Sequence, residues 1–486
     1  MDHRRGSPII AVALLIGCST AGSDELAVND LPFDTGTDDP TGGDGESGHA
    51  DTGDSGAASE TGGEDSADSE ETGGDSTSSA PEGKIELLDW TAHVLGPGAD
   101  DAPGATALAT GDVNGDGLDD LALGAYAYGG SFEAWVVPGP VRGDVDLAVA
   151  PTLVHLTSAE PADPVRALSL TDVDGDGTAD LLVAVDDVFV FRGPLPATLD
   201  LPDADLRVTW SAGALQQVGA VGDLDGGGGS DIALTSQDGA WSGDVYEYGH
   251  VEVHHAASDG FLGREDALAT FTSLDGNPYA SSAVSPGDVD GDGQDDVWLG
   301  GLRLFYGPLS GSFTLDQADR QVTPVAQTWS FFTARAAGDT DGDGRADIAL
   351  VGQLDADTSR VLFLGDLPAG DVAIDGLDPT IELPDAVLGA STTLAVADVD
   401  GDAHPDVILG GPGLSGGGGA SVSVTYGPIA GRVALTPDAT TVAATATGFG
   451  ATLAAGDLDD DGYADVAAGA LPGGMGGTWV LGGGWR

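Results

Sequence analysis

The side chains best suited to chemistry in this sequence are carboxylates set among glycines. Residues 111–125 read GDVNGDGLDDLALGA. Counted from Asp112, oxygen-bearing side chains hold loop positions 1, 3 and 5 (Asp112, Asn114, Asp116), Gly117 holds position 6 and Asp120 position 9. Alternate residues of a tight turn can face one centre, and glycine at position 6 supplies the positive φ that a sharp reversal needs. With the backbone carbonyl of Leu118 at position 7, they make a set of hard oxygen donors. That chemistry suits Ca²⁺, which takes roughly six to eight oxygens at about 2.3–2.6 Å. Without a cation, carboxylates at such range repel one another strongly.

The pattern returns six more times, from Asp172, Asp223, Asp288, Asp339, Asp398 and Asp457. The second loop offers Asp172, Asp174, Asp176, the Thr178 carbonyl and Asp180. The third offers only Asp223, Asp225 and Asp231, because Gly227 stands at position 5. The fourth offers Asp288, Asp290, Asp292, the Gln294 carbonyl and Asp296, and the fifth Asp339, Asp341, Asp343, the Arg345 carbonyl and Asp347. The sixth has Asp398, Asp400, Asp402, the His404 carbonyl and Asp406, with Ala403 straining position 6. The seventh has Asp457, Asp459, Asp461, the Tyr463 carbonyl and Asp465. Six usable Ca²⁺ sites are expected, with the third weak or empty.

Position 9 is Asp in every copy, whereas an EF-hand needs an acidic residue at position 12. Here position 12 is Leu123, Val183, Leu234, Leu299, Leu350, Leu409 and Ala468, all apolar and in strand-like runs. EF-hand and dockerin-like loops are therefore excluded. Thrombospondin-like arrays are excluded too, since they need many cysteines and this chain has one.

The elements that must hold these loops repeat with them. The gaps between first aspartates are 60, 51, 65, 51, 59 and 59 residues, and a second element follows each loop in all but the third copy: VVPGP, VFRGP, LFYGP, LFLGD, VTYGP and WVLGG. Such periodicity marks a repeat architecture. The DxDxDGxxD loop entering a strand that ends near GA or GG resembles the FG-GAP repeats of integrin α-subunits, over about residues 85–486. The last copy is the nearest match, with Gly448-Phe449-Gly450 before the loop and Gly469-Ala470-Leu471-Pro472 after it. The resemblance implies an all-β fold, a calcium-binding β-propeller, and binding as its habitual role.

Each unit has room for four short strands, a propeller blade. In repeat one these are ALATG, DLALGA, FEAWVVPG and a fourth near LAVAPTLVHL. The first strands are rich in small residues, as crowding at the axis requires. Seven repeats give seven blades. The last repeat stops after its third strand, while KIELLDWTAHVLGPG before the first repeat matches TIELPDAVLG, a fourth-strand segment. Residues 85–95 are thus expected to supply the missing outer strand and close the ring, which also covers an open sheet edge.

Charge and the N-terminus narrow the setting. The 486 residues carry a net charge of −66, with Lys84 the sole lysine beside fourteen arginines. Nucleic acid is an improbable partner, because phosphate binding needs clustered cations. Residues 1–17 have the form of a signal peptide: Arg4 and Arg5, then an apolar Ile9–Ile16 too short to span a bilayer. The LIGC that follows resembles a bacterial lipobox, which implies lipidation of Cys18. Residues 18–83 form an acidic Asp/Gly/Ser/Thr-rich tether that lacks the apolar surface to fold. Residues 84–486 are the propeller. An exported, lipid-anchored protein of the cell envelope, at the outer membrane or cell surface, is expected.

Other candidates are weaker. Gly413-Leu414-Ser415-Gly416-Gly417 fits GxSxG, but glycines and a strand follow where a nucleophile elbow needs a helix. His250, Glu252 and His254 share one strand face, with the outer two about 13 Å apart along the backbone. One ion cannot hold all three; Glu252 with either histidine offers a two-ligand site as the alternative, and a solvated outer strand is expected. Tyr126, Tyr128 and Trp241 fall between second and third strands, where a ligand would meet aromatic loops; the remaining tryptophans are read as core. The preferred function is a non-enzymatic binding or adhesion module with a protein or glycan ligand. A lectin-like propeller and an enzyme acting at the channel mouth are the alternatives. The last would need polar side chains pointing inward from several blades.

Overall fold

The computed structural model describes residues 84–85 and 90–484, except 98–101, 127–131, 158–164, 197–198, 212–214, 237–239, 243–244, 274–281, 301–302, 324–329, 341–346, 354–358, 365–371, 374–379, 384–392, 413–419, 430, 435–439, 445–447 and 471–476. The signal peptide, Cys18, the tether, Tyr128, Asp341, Asp343, Arg345, Ser415, Trp329 and Trp485 lie outside the described residues. Among the described residues no helix is long and apolar enough to cross a membrane.

Seven antiparallel sheets form the blades of a propeller. Blade one runs Ala107–Gly111, Asp120–Tyr126, Phe132–Val137 and Val154–Thr157 from the axis outward. Blade two runs Ala167–Thr171, Asp180–Ala184, Val188–Phe191 and Leu206–Val208, and blade three Leu215–Ala220, Asp231–Ser236, Val245–His255 and Ala269–Ser273. Blade four has Ala283–Gly287, Asp296–Leu299, Arg303–Phe305 and Arg320–Thr323. Blade five has Ser330–Gly338, Asp347–Gln353, Ser359–Leu364 and Thr380–Leu383. Blade six has Thr393–Ala397, Asp406–Pro412, Ala420–Thr425 and Thr440–Ala444.

Blade seven ends its own chain at the third strand, after Thr452–Gly456, Asp465–Ala470 and Gly477–Leu481. Its fourth strand is Ala92–Leu95, antiparallel to the third with His93 opposite Trp479. The expected closure over 85–95 is therefore narrower than the segment matched in sequence. Lys84 and Ile85 instead pair in parallel with Thr441 and Val442 of blade six. A fifth strand of this kind recurs. In blades two to five and seven, the segment before the next blade's fourth strand lies parallel on the outer edge, as Gly143–Asp146 does on Ala92–Leu95. The N-terminal segment thus supplies the whole outer half of the seventh unit. It joins blades six and seven with one stretch of chain and leaves fewer open edges.

Second and third strands are apolar on both faces because each blade packs against two neighbours. Leu181 and Val183 face blade one's Val136 and Leu156, while Leu182 and Ala184 face blade three's Ile232 and Leu234. Strict alternation of neighbours along one strand explains why these runs carry no polar face. The first strands line a central channel. They are less uniformly small than their sequences suggest, since Arg166, Gln216, Gln217 and Arg335 stand in the channel wall.

Candidate metal centres

The position-9 aspartates open the second strand of every blade and are buried: Asp120, Asp180, Asp231, Asp296, Asp347, Asp406 and Asp465 are at most 3% exposed. Each is pinned from two sides. One carboxylate oxygen accepts the position-2 backbone N–H in all seven blades, at 2.7–3.0 Å, from Val113, Val173, Leu224, Val289, Thr340, Val399 and Leu458. The other accepts the N–H of a glycine at the end of the third strand: Gly139, Gly193, Gly307, Gly427 or Gly483, at 2.7–3.0 Å.

That second bond explains the recurring GP element. A Cβ on any of these glycines would fall 2.6–2.7 Å from the position-8 carbonyl oxygen, so only glycine lets the corner approach the aspartate. Just beyond it, the chain reaches the preceding blade. Val141, Leu195, Leu309, Ile429 and Gly484 donate their N–H to the position-2 carbonyls of Leu458, Val113, Leu224, Thr340 and Val399. Among the described residues, loops one, six and seven are thus both buttressed by their own blade and clasped by the next. The two elements in phase in the sequence are the two halves of one joint.

Inside the loop, the position-1 carboxylate collects the N–H groups of the turn. Asp172 accepts from Gly175 at 2.7 Å and Gly177 at 2.8 Å, and Asp288 does the same with Gly291 and Gly293. The position-6 residue takes a left-handed φ in each described loop, 92° at Gly177 and 68° at Ala403. Alanine adopts that region at a cost, as expected for the sixth loop. The position-5 carboxylates of Asp116, Asp176, Asp292, Asp402 and Asp461 each accept the position-7 N–H.

Positions 1, 3 and 9 converge. Oxygens of Asp172, Asp174 and Asp180 lie within 4.8 Å of one another, as do those of Asp288, Asp290 and Asp296, of Asp398, Asp400 and Asp406, and of Asp457, Asp459 and Asp465. In loop one, Asn114 turns its Nδ2 to Asp120 at 3.1 Å, and flipping the amide presents its oxygen instead. Burial pushes the position-9 carboxyls up, the neighbouring carboxylates add to the rise, and the backbone N–H bonds oppose it. Asp120 is held at about 6, Asp406 and Asp465 at about 7. Asp180 and Asp296 rise for the same reasons. These hard-oxygen clusters stay net negative even where an arginine stands near, as Arg192 does 3.7 Å from Asp174 and Arg142 3.8 Å from Asp459, and a divalent cation fits them.

The third loop is built differently. Its blade has no GP corner, and His255 ends the third strand opposite Asp231. The imidazole Nδ1 lies 2.9 Å from Asp231 Oδ1, where the other blades place a glycine N–H, and Nε2 lies 3.4 Å from Asp225 Oδ2. Asp225, Asp231 and His255 form a converging group of their own, while Asp223 binds the turn N–H groups of Gly226 and Gly228. No signal within the loop pointed to His255, which lies 24 residues downstream.

His250, Glu252 and His254 do not lie on a solvated outer strand. They occupy the third strand of blade three and are at most 3% exposed. His250 Nε2 and His254 Nε2 bond the two oxygens of Glu252 at 2.9 and 3.3 Å, and Arg264 Nε stands 3.6 Å away. Burial works to raise the Glu252 carboxyl, but the bonds from the two histidines outweigh it and hold it at about 2. The two Nε2 bonds to Glu252 offset the burial of these polar side chains, while His254 Nδ1 has no hydrogen-bond partner among the described residues. Among the other expected sites, Tyr126 ends the second strand of blade one and Trp241 lies in a short strand, Ala240–Ser242, paired to Val245–Glu247. Trp135 and Trp298 are core residues as expected.

Among curated proteins no relative matches the chain. Three solved structures are among those similar to the chain. One is BBS1N in complex with ARL6DN, at 12% identity and TM-score 0.42 over 81% of this chain and 96% of that one. Another is an active polycomb repressive complex 2 in the basal state, at 8% and 0.43 over 79% and 95%. The third is a protein of unknown function from Dyadobacter fermentans, at 11% and 0.36 over 81% and 98%. The family model of the FG-GAP repeat matches residues 104–137, which span the first three strands and the first acidic loop. The chain is a seven-bladed β-propeller whose first blade carries an FG-GAP repeat at residues 104–137.

Proposed function

We propose that this protein is a non-enzymatic binding module whose propeller is stabilised by calcium and displayed at the cell envelope. The observation that carries the calcium reading is the convergence of positions 1, 3 and 9 in loops two, four, six and seven. With loops one and five, six sites are expected. The third is expected to be weak or empty because Gly227 removes its position-5 carboxylate, and the His255 imidazole stands beside its remaining oxygens. Extracellular modules commonly bind Ca²⁺ with dissociation constants of about 10⁻⁴–10⁻³ M. At about ten times such a constant each site adds roughly 1.4 kcal/mol by mass action. Six together are comparable with the whole stability of a domain, roughly 5–15 kcal/mol.

Lipidation at Cys18 and the acidic stretch 18–83 would hold the propeller away from a membrane surface. The ligand is then a protein or glycan met outside the cell, with adhesion as the role. Calorimetric titration of the full chain with CaCl₂ is expected to give six sites, and chelation a large fall in melting temperature. No uptake of Ca²⁺ would overturn the calcium reading. Pull-downs from native envelope material and glycan arrays, each with Ca²⁺ and with EDTA, separate a protein ligand from a glycan.

A further inference from the structure

The chain carries 81 acidic and 15 basic residues, yet the described wall of its central channel reverses that balance. The channel encloses about 830 Å³ and is lined by the first strands of all seven blades. Arg166 and Arg335 stand in that wall, and no Asp or Glu does among the described residues. A volume of this size suits a small molecule, since ligand pockets span roughly 300–1,000 Å³.

The two arginines are placed apart. Arg166 lies just before the first strand of blade two, five residues from Thr171, where the strand enters its loop. At about 3.3 Å per residue, that is roughly 16 Å from the loop end. Arg335 pairs with Ala349, two residues past Asp347, so it sits much nearer the loop end, about 7 Å away by the same rise. Blades two and five face each other across the ring. Arg335 is exposed to the channel, and one of its guanidinium N–H groups donates to the Ala334 carbonyl at 2.8 Å. Gln216 and Ser169 add uncharged polar groups to the wall, while the Gln217 amide is engaged with the backbone of Ala283 in blade four. The acidic loops crowd one end of the channel, so a negatively charged guest enters from the Arg166 end.

We infer that the channel binds a small organic dianion, with its two acidic groups on Arg166 and Arg335. Guanidinium recognises carboxylate and phosphoryl oxygens alike through paired N–H bonds, so either group would serve. The test is calorimetric titration of the full chain, in calcium, with succinate and with 3-phosphonopropionate, which keeps two acidic groups but replaces one carboxylate by a phosphonate. Succinamide serves as the uncharged counterpart of succinate. Binding with one-to-one stoichiometry is expected for at least one dianion and not for succinamide, and whichever binds identifies the acidic group. Arg166→Gln and Arg335→Gln should each weaken it about tenfold or more. A rise in the wild-type melting temperature with the dianion, beyond that with KCl at equal ionic strength, gives a measure independent of the variants. Dianions that bind no better than succinamide, or variants that bind like wild type, would overturn the assignment.

Discussion

Gly427→Ala tests the joint between the acidic loop and the GP corner. Gly427 donates its N–H to Asp406 at 2.7 Å, and a Cβ there would lie 2.6 Å from the Pro405 carbonyl oxygen and 3.0 Å from His404 Cβ. The first neighbour is backbone and cannot rotate away, so the corner must shift. Such overpacking costs about 1–3 kcal/mol. The shift also draws the donor off a buried carboxylate, and a hydrogen bond to a charged group contributes about 1.5–3 kcal/mol. A loss of roughly 3–5 kcal/mol follows from these two effects. For a propeller of this length that corresponds to a fall of about 3–5 °C in melting temperature. Asp406 would also lose the bond that aims it at the loop centre, so Ca²⁺ uptake should fall by one site. Differential scanning calorimetry and Ca²⁺ titration measure both. Gly219→Ala is the control, because a Cβ at that channel-wall position meets nothing within 4 Å. If Gly427→Ala melts with the wild type, or no lower than Gly219→Ala, the corner does not work as described.

Three other perturbations probe separate parts of the ring. Deleting 84–96 removes the strand that buries Val94 and stacks His93 on Trp479 at 3.6 Å, and should lower the melting temperature far more than deleting 24–80; equal melting temperatures would contradict ring closure. His255→Ala removes the bond to Asp231 and should cost about 2 kcal/mol in urea unfolding, with the number of Ca²⁺ sites unchanged or raised by one. The Glu252 carboxyl is depressed from 4.5 to about 2, so the folded state favours its ionised form. Its contribution, on the order of 3 kcal/mol, is complete above about pH 4.5 and is lost as pH falls toward 2. Glu252→Gln should therefore flatten that part of the acid-unfolding curve, and an unchanged curve would remove Glu252 from the account.

The acidic loops, their count and their blades were legible because each rests on residues within a few positions of one another. Asp288, Asp290, Asp292 and Asp296 need only a tight turn to share a centre, and the β-like run after them follows from burial on both faces. The missing fourth strand of blade seven was visible as well, since one repeat ended early and a spare segment preceded the first. Long-range pairing decided the rest. The GP glycines could be seen to recur, but their approach to the position-9 aspartates depends on the register of strands two and three. His255 belongs to the third loop only because that register sets it opposite Asp231. The burial of Glu252 follows from which blade its strand faces. Arg166 and Arg335, 169 residues apart, share a channel only because seven sheets close into a circle. Local spacing fixes what a turn can bind; closure of the ring fixes which distant side chains share a space, because it alone sets their register and facing.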